Sequence, residues 1–129
     1  MSVRSALLPA LLLLTLGGCV EFGEEDLYGP EFASGADIQT IFDNSCIGCH
    51  SGAAPQGGLS LTADVAEEEL IGVPSAHEAC GGVPRVTPGN PDASCLWILV
   101  DAGLMPPGLP LPQEQRDTIR TWIEQLPVP

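Results

Sequence analysis

The 129-residue sequence contains no lysine, only four arginines, and aromatic side chains at just 5% of positions, against seventeen acidic residues. Its formal net charge is −13 at pH 7. A surface of that sign repels phosphate backbones, so nucleic-acid binding is excluded. The length allows one modest domain and excludes a multidomain enzyme. Long hydrophobic runs are also missing: the early apolar stretch, Ser5 to Leu16, has twelve residues where a membrane helix needs about 20. What is present is a 44% apolar share, enough for a core, together with 15 glycines and 13 prolines that assign much of the backbone to loops.

Arg4 followed by seven leucines and two alanines in Ser5 to Leu16 has the form of a charged n-region and an apolar h-region, which marks the chain for export. The stretch ends Leu16-Gly17-Gly18-Cys19, which resembles the lipobox of bacterial lipoproteins. The resemblance implies that residues 1–18 are a signal peptide and that Cys19 carries lipid. Two or more acyl chains would hold the protein on a membrane where one would not. Val20 takes the place of the aspartate that resembles an inner-membrane retention signal. The expected location is therefore extracytoplasmic, on the periplasmic side of the outer membrane or cell envelope. Residues 19–35 are acidic and aperiodic and read as a flexible tether, leaving 36–129 as the folded domain.

Short helices between long loops are expected there. Ile38, Ile41 and Phe42 form an i, i+3, i+4 stripe leading into Cys46, and Ala63, Ala66 and Leu70 mark a second short helix whose outer face carries Glu67, Glu68 and Glu69. A third helix is predicted with Asn90 as N-cap, Pro91 at its first position, a stripe of Ala93, Leu96, Trp97 and Val100, and Gly103 as terminator. The last starts near Pro112, without a polar cap, and shows Ile119, Trp122, Ile123 and Leu126 before Pro127. No segment sustains a period of two, so the fold class is mainly α, about four short helices with long loops.

Cys46-Ile47-Gly48-Cys49-His50 is a CxxCH sequence, the attachment pattern of one covalent haem c. Two intervening residues set the sulfurs at the separation of the two vinyl groups, and His50 follows as the proximal iron ligand. For the sixth position the processed chain offers His77 and Met105. Met105 is the better candidate. It stands in Gly103-Leu104-Met105-Pro106-Pro107-Gly108, 55 positions after His50, where prolines stiffen the loop. His77 reads as a surface residue. In a competing class Met105 does not bind, and the protein is a five-coordinate haem sensor or weak peroxidase.

With these residues in order, the chain from about Ala36 to Leu126 resembles a small monohaem class I cytochrome c. The resemblance implies a haem clamped by His50 and Met105, an N-terminal helix crossing the C-terminal one, and electron transfer without a small-molecule substrate. It also implies redox protein partners. The lysine ring with which many relatives dock is absent, so those partners should be basic, neutral or apolar.

Cys80 and Cys95 remain after lipid and haem take three cysteines, and in an oxidising compartment such a pair forms a disulfide. The rivals are a redox-active pair and a zinc site from Cys46, Cys49, His77 and Cys80. Of the three arginines after residue 18, Arg85 is the candidate contact for a haem propionate, since Arg116 and Arg120 fall on the side of the last helix away from Ile119 and Ile123. Trp97 and Trp122 are expected in the core, at least one of them against the porphyrin.

Overall fold

The computed structural model describes residues 33–129. The signal peptide, Cys19 and nearly all of the tether lie outside the described residues. Four α-helices are formed: α1 (Gly35–Ser45), α2 (Ala66–Leu70), α3 (Cys95–Asp101) and α4 (Gln113–Gln125). Single 3-10 turns occupy Gln56–Gly58, Glu78–Cys80 and Pro91–Ala93. Among the described residues there are no strands, only isolated bridges between Ile71 and Val86 and between Pro74 and Pro84. The fold is mainly α, as the sequence predicts.

A capping box starts α1. Ser34 Oγ accepts from Asp37 N, while the Asp37 carboxylate accepts from Ser34 N at 2.9 Å. Its stripe buries Ile38, Ile41 and Phe42 against Ile119, Trp122 and Ile123 of α4. This packing also closes the domain at its ends, where Ala33 N donates to Gln125 Oε1 and Gly89 N donates to the Ile123 carbonyl. The core continues through Leu61, Ala66, Leu70 and Val86 to Trp97 and Val100 of α3. No helix of the described residues is long and apolar enough to cross a membrane.

The third helix is not continuous. Asn90 does cap, accepting from Ala93 N, but only one 3-10 turn follows before Ser94 takes an extended conformation, φ −119° and ψ 119°. The cause is the Ser94 hydroxyl, fully buried, which accepts from Thr87 N at 2.8 Å and lies 2.8 Å from the Asn90 carbonyl as its donor. A side chain bonded to backbone in this way competes with helical pairing. Helix α3 therefore starts afresh at Cys95 and buries Cys95, Trp97, Leu99 and Val100. Leu96 is left half-buried. Gly103 ends the element as expected, with φ +67° after the Ala102 cap. The second helix is shorter than its stripe, since Ala63 is exposed and α2 begins at Ala66.

Candidate functional site

Cys46 is the C-cap of α1, its N–H donating to the Phe42 carbonyl at 2.8 Å. The chain then winds one further turn: Cys49 N and His50 N both donate to the Cys46 carbonyl, at 3.1 and 3.0 Å. That turn brings the two thiols and the imidazole to one cavity. Both thiols are free. Burial, and then the neighbouring Cys49, push the Cys46 thiol up to about 11.

His50 is fixed from three sides. Its N–H goes to Cys46, its carbonyl accepts from Leu61 N at 2.8 Å, and ring Nδ1 lies 3.1 Å from the Gln56 carbonyl oxygen. A carbonyl accepts only, so Nδ1 carries the hydrogen and Nε2 keeps its lone pair for a metal. Gln56 is a contributor that sequence reasoning missed. It acts through its backbone, which leaves no mark on residue type.

The cavity has a volume of about 350 Å³, within the range of roughly 300–1,000 Å³ usual for cofactor sites. Leu59, Leu61 and Leu70 supply part of an apolar wall, α3 supplies Cys95, Leu96, Leu99 and Val100, and Met105, Pro106 and Pro107 complete it. Met105 is half-buried, its N–H on the Leu99 carbonyl at 3.2 Å beside that of Leu104 at 2.9 Å. It packs against the buried cluster of Cys80, Cys95 and Leu99. Cys80 and Cys95 form a disulfide with Cα atoms 5.2 Å apart.

Two free thiols, an imidazole with an available Nε2 and a thioether thus line one apolar cavity, a donor set that fits a covalently held haem. It does not fit zinc. Cys80 is spent in the disulfide, and no group of three His, Cys, Asp or Glu side chains able to hold a metal occurs among the described residues.

His77 also borders the cavity, although exposed to solvent overall. Its Nδ1 accepts from Ala79 N at 3.3 Å, capping the turn Glu78–Cys80. Arg85 lines the cavity too, with both terminal nitrogens engaged: Nη1 donates to the Glu69 carbonyl and to Glu69 Oε2, and Nη2 to the carbonyls of Gly57 and Gly58. Glu69 is therefore tied to Arg85 while its side chain still reaches solvent.

Two further expectations are corrected. Neither tryptophan borders this cavity. Trp122 is buried between α4 and α1, and Trp97 lies under the Arg120 guanidinium, 5.3 Å from its ring centre. Nor do Arg116 and Arg120 stay on the side of α4 away from Ile119 and Ile123, since both reach α3. Arg116 pairs with Asp101 at the end of α3 at 3.6 Å, and Arg120 reaches α3 through Trp97. Long side chains cover a neighbouring helix from positions flanking the buried stripe.

Residues 46–108 match the model of a family described as Planctomycete cytochrome C. No curated protein and no solved structure matches the chain.

Proposed function

From the premise that residues 46–108 form a cytochrome c-like domain, we propose that the protein is a membrane-tethered, extracytoplasmic carrier of single electrons. Cys46 and Cys49 would hold one haem c through thioether bonds, with His50 Nε2 and Met105 Sδ on the iron. When bound, this group supplies one-electron exchange. The observation that carries the reading is the meeting of Cys46, Cys49, His50 and Met105 on one cavity.

The chain's own residues set the conditions for that exchange. The Gln56 carbonyl fixes which imidazole nitrogen is available and in which direction. The leucines of the wall exclude water, which with a thioether ligand favours the reduced state. The Leu99 carbonyl anchors the backbone of Met105, which limits rearrangement of that ligand between oxidation states. Were His50 and Met105 both to hold the iron, no position would be left for a small-molecule substrate, and the protein would be a carrier in place of a catalyst.

Anchoring at Cys19 would keep the domain close to a membrane. With seventeen acidic residues and no lysine, its redox partners would be basic, neutral or apolar at the docking surface.

The test is to mature the chain in a host competent for haem c attachment, then record the absorption spectrum and the mass of the Cys46/Cys49 peptide. A red protein with haem mass on that peptide, a weak sulfur-to-iron band when oxidised, and no ready uptake of carbon monoxide when reduced is expected. Colourless protein without added mass overturns the reading. Ready carbon monoxide uptake would instead assign a five-coordinate sensor or weak peroxidase.

A further inference from the structure

Besides His50, two side chains able to hold iron, Met105 and His77, border the same cavity, and one disulfide reaches both. On the first side, Cys95 and Leu99 stand four apart on α3 and share a face. Met105 rests on the cluster they form with Cys80, and the Leu99 carbonyl accepts its N–H. On the second side, Cys80 closes the three-residue turn Glu78–Cys80, whose cap is the His77 ring. Because Nδ1 accepts from Ala79 N, the neutral ring carries its hydrogen on Nε2, and neither nitrogen offers a lone pair to a metal. Ser75 adds a second tie, its Oγ lying 3.1 Å from Cys95 Sγ and accepting from His77 N at 3.2 Å.

We infer that the Cys80–Cys95 disulfide decides which of the two side chains completes the iron's coordination, holding Met105 in place and His77 in its capping, non-ligating form. The inference rests on the proposed reading that His50 holds the iron from the opposite side. Cutting the bond acts on both candidates together. Met105 loses the covalent part of its support. The 3-10 turn, too short to persist unaided, loses its anchor and releases the imidazole. An imidazole nitrogen suits iron well, so ligation passes from Met105 to His77.

The experiment compares three full-length, haem-loaded proteins: wild type, Cys80→Ala/Cys95→Ala, and Cys80→Ala/Cys95→Ala/His77→Ala. Oxidised wild type is expected to show the sulfur-to-iron band. The double variant loses it, gains the electron-spin resonance pattern of two axial nitrogens, and when reduced still resists carbon monoxide. The triple variant, with neither ligand in place, takes up carbon monoxide readily. A double variant that keeps the sulfur band overturns the inference, and so does one that takes up carbon monoxide as readily as the triple, since nothing has then replaced Met105. Wild type without the band removes the His50/Met105 reading itself, and the inference falls with it; that failure is seen before any variant is examined. His77→Ala alone should leave the band unchanged, and its loss overturns the capping role.

Should the double variant fail to fold, the bond is cut in purified wild type with a dithiol. One thiolate of the reagent attacks a sulfur to give a mixed disulfide, and the other closes on it. The reagent leaves as a cyclic disulfide, and Cys80 and Cys95, having taken two electrons and two protons, become thiols. The iron is then ferrous, and disappearance of the ring-current-shifted Met105 methyl resonance in the proton spectrum supports the inference. Its persistence overturns it.

Discussion

The imidazole of His50 donates to the carbonyl of Gln56, 3.1 Å away, and Gln56 is itself bonded back to the motif through its N–H on the Cys49 carbonyl. The direction of that carbonyl depends on the turn Gln56–Gly58, where Gly57 and Gly58 take φ of +64° and +62°. An added Cβ at Gly57 would meet nothing within 4 Å, so its cost is conformational, about 1–2 kcal/mol. Gly57→Ala is expected to lower the unfolding free energy by about that amount in a urea titration. Gly48→Ala has neither a left-handed backbone nor a close neighbour and should stay within roughly 0.5 kcal/mol. Equal values for the two would remove the strain assigned to the turn.

Much of this site is legible in sequence because its signals are local. The stripes of α1 and α4 repeat within eight residues, and CxxCH is set by adjacent positions. What sequence does not carry is contact between distant segments through groups that every residue shares. Gln56 serves through a carbonyl. Ser94 breaks the expected third helix because Thr87 N, seven residues earlier, needs an acceptor. The tryptophans were recognisable as core, but hydrophobic periodicity says that a face is buried and not which cavity it borders. Arg85 reads as a free cation until Glu69 and the carbonyls of the 56–58 turn are brought to it.

Asp37 gives α1 a dependence on acid. Hydrogen bonds from the Ser34 hydroxyl and then its backbone N–H hold the Asp37 carboxyl below its ordinary value. A carboxyl whose folded pKa is depressed contributes stability above its unfolded value, near 3.9, and that contribution is lost as pH falls through the folded one. Asp37→Ala should therefore melt below wild type at pH 7, with the gap closing as the pH is taken to the acid side of the depressed folded value. Circular dichroism melts at both pH values check this, and a gap of constant size would place the effect outside the capping carboxylate.

Ser94 is fully buried and holds Thr87 N. In Ser94→Ala that donor loses its partner, at a cost of about 1–3 kcal/mol. The same change removes what interrupts the helix between Ala93 and Cys95. The expected result is a protein less stable by that amount, with amide-exchange protection at Thr87 reduced first. Unchanged protection at Thr87 would show that another acceptor had replaced the hydroxyl.

Arg85 joins two parts of the cavity wall, the end of α2 through Glu69 and the turn that orients His50 through Gly57 and Gly58. Its side chain is only 16% exposed, and its bonds to Glu69 are part-buried while those to the Gly57 and Gly58 carbonyls face solvent. Water can take over at the exposed Gly57 and Gly58 carbonyls but less readily at the part-buried Glu69 carbonyl, and Arg85→Leu should cost about 1–2 kcal/mol. Arg85→Lys keeps the charge but has one nitrogen for four acceptors, and should recover less than half of the loss. The role expected from sequence, contact with a haem propionate, predicts something different. A propionate contact would make Arg85→Leu shift the midpoint potential of the haem-loaded protein far more than Glu69→Gln does. A brace would couple the two residues in unfolding, by about 1 kcal/mol in a double-mutant cycle, with little change in potential. Since both terminal nitrogens are bonded within the chain, the brace is the expected outcome, and a large potential shift without coupling would reverse that assignment.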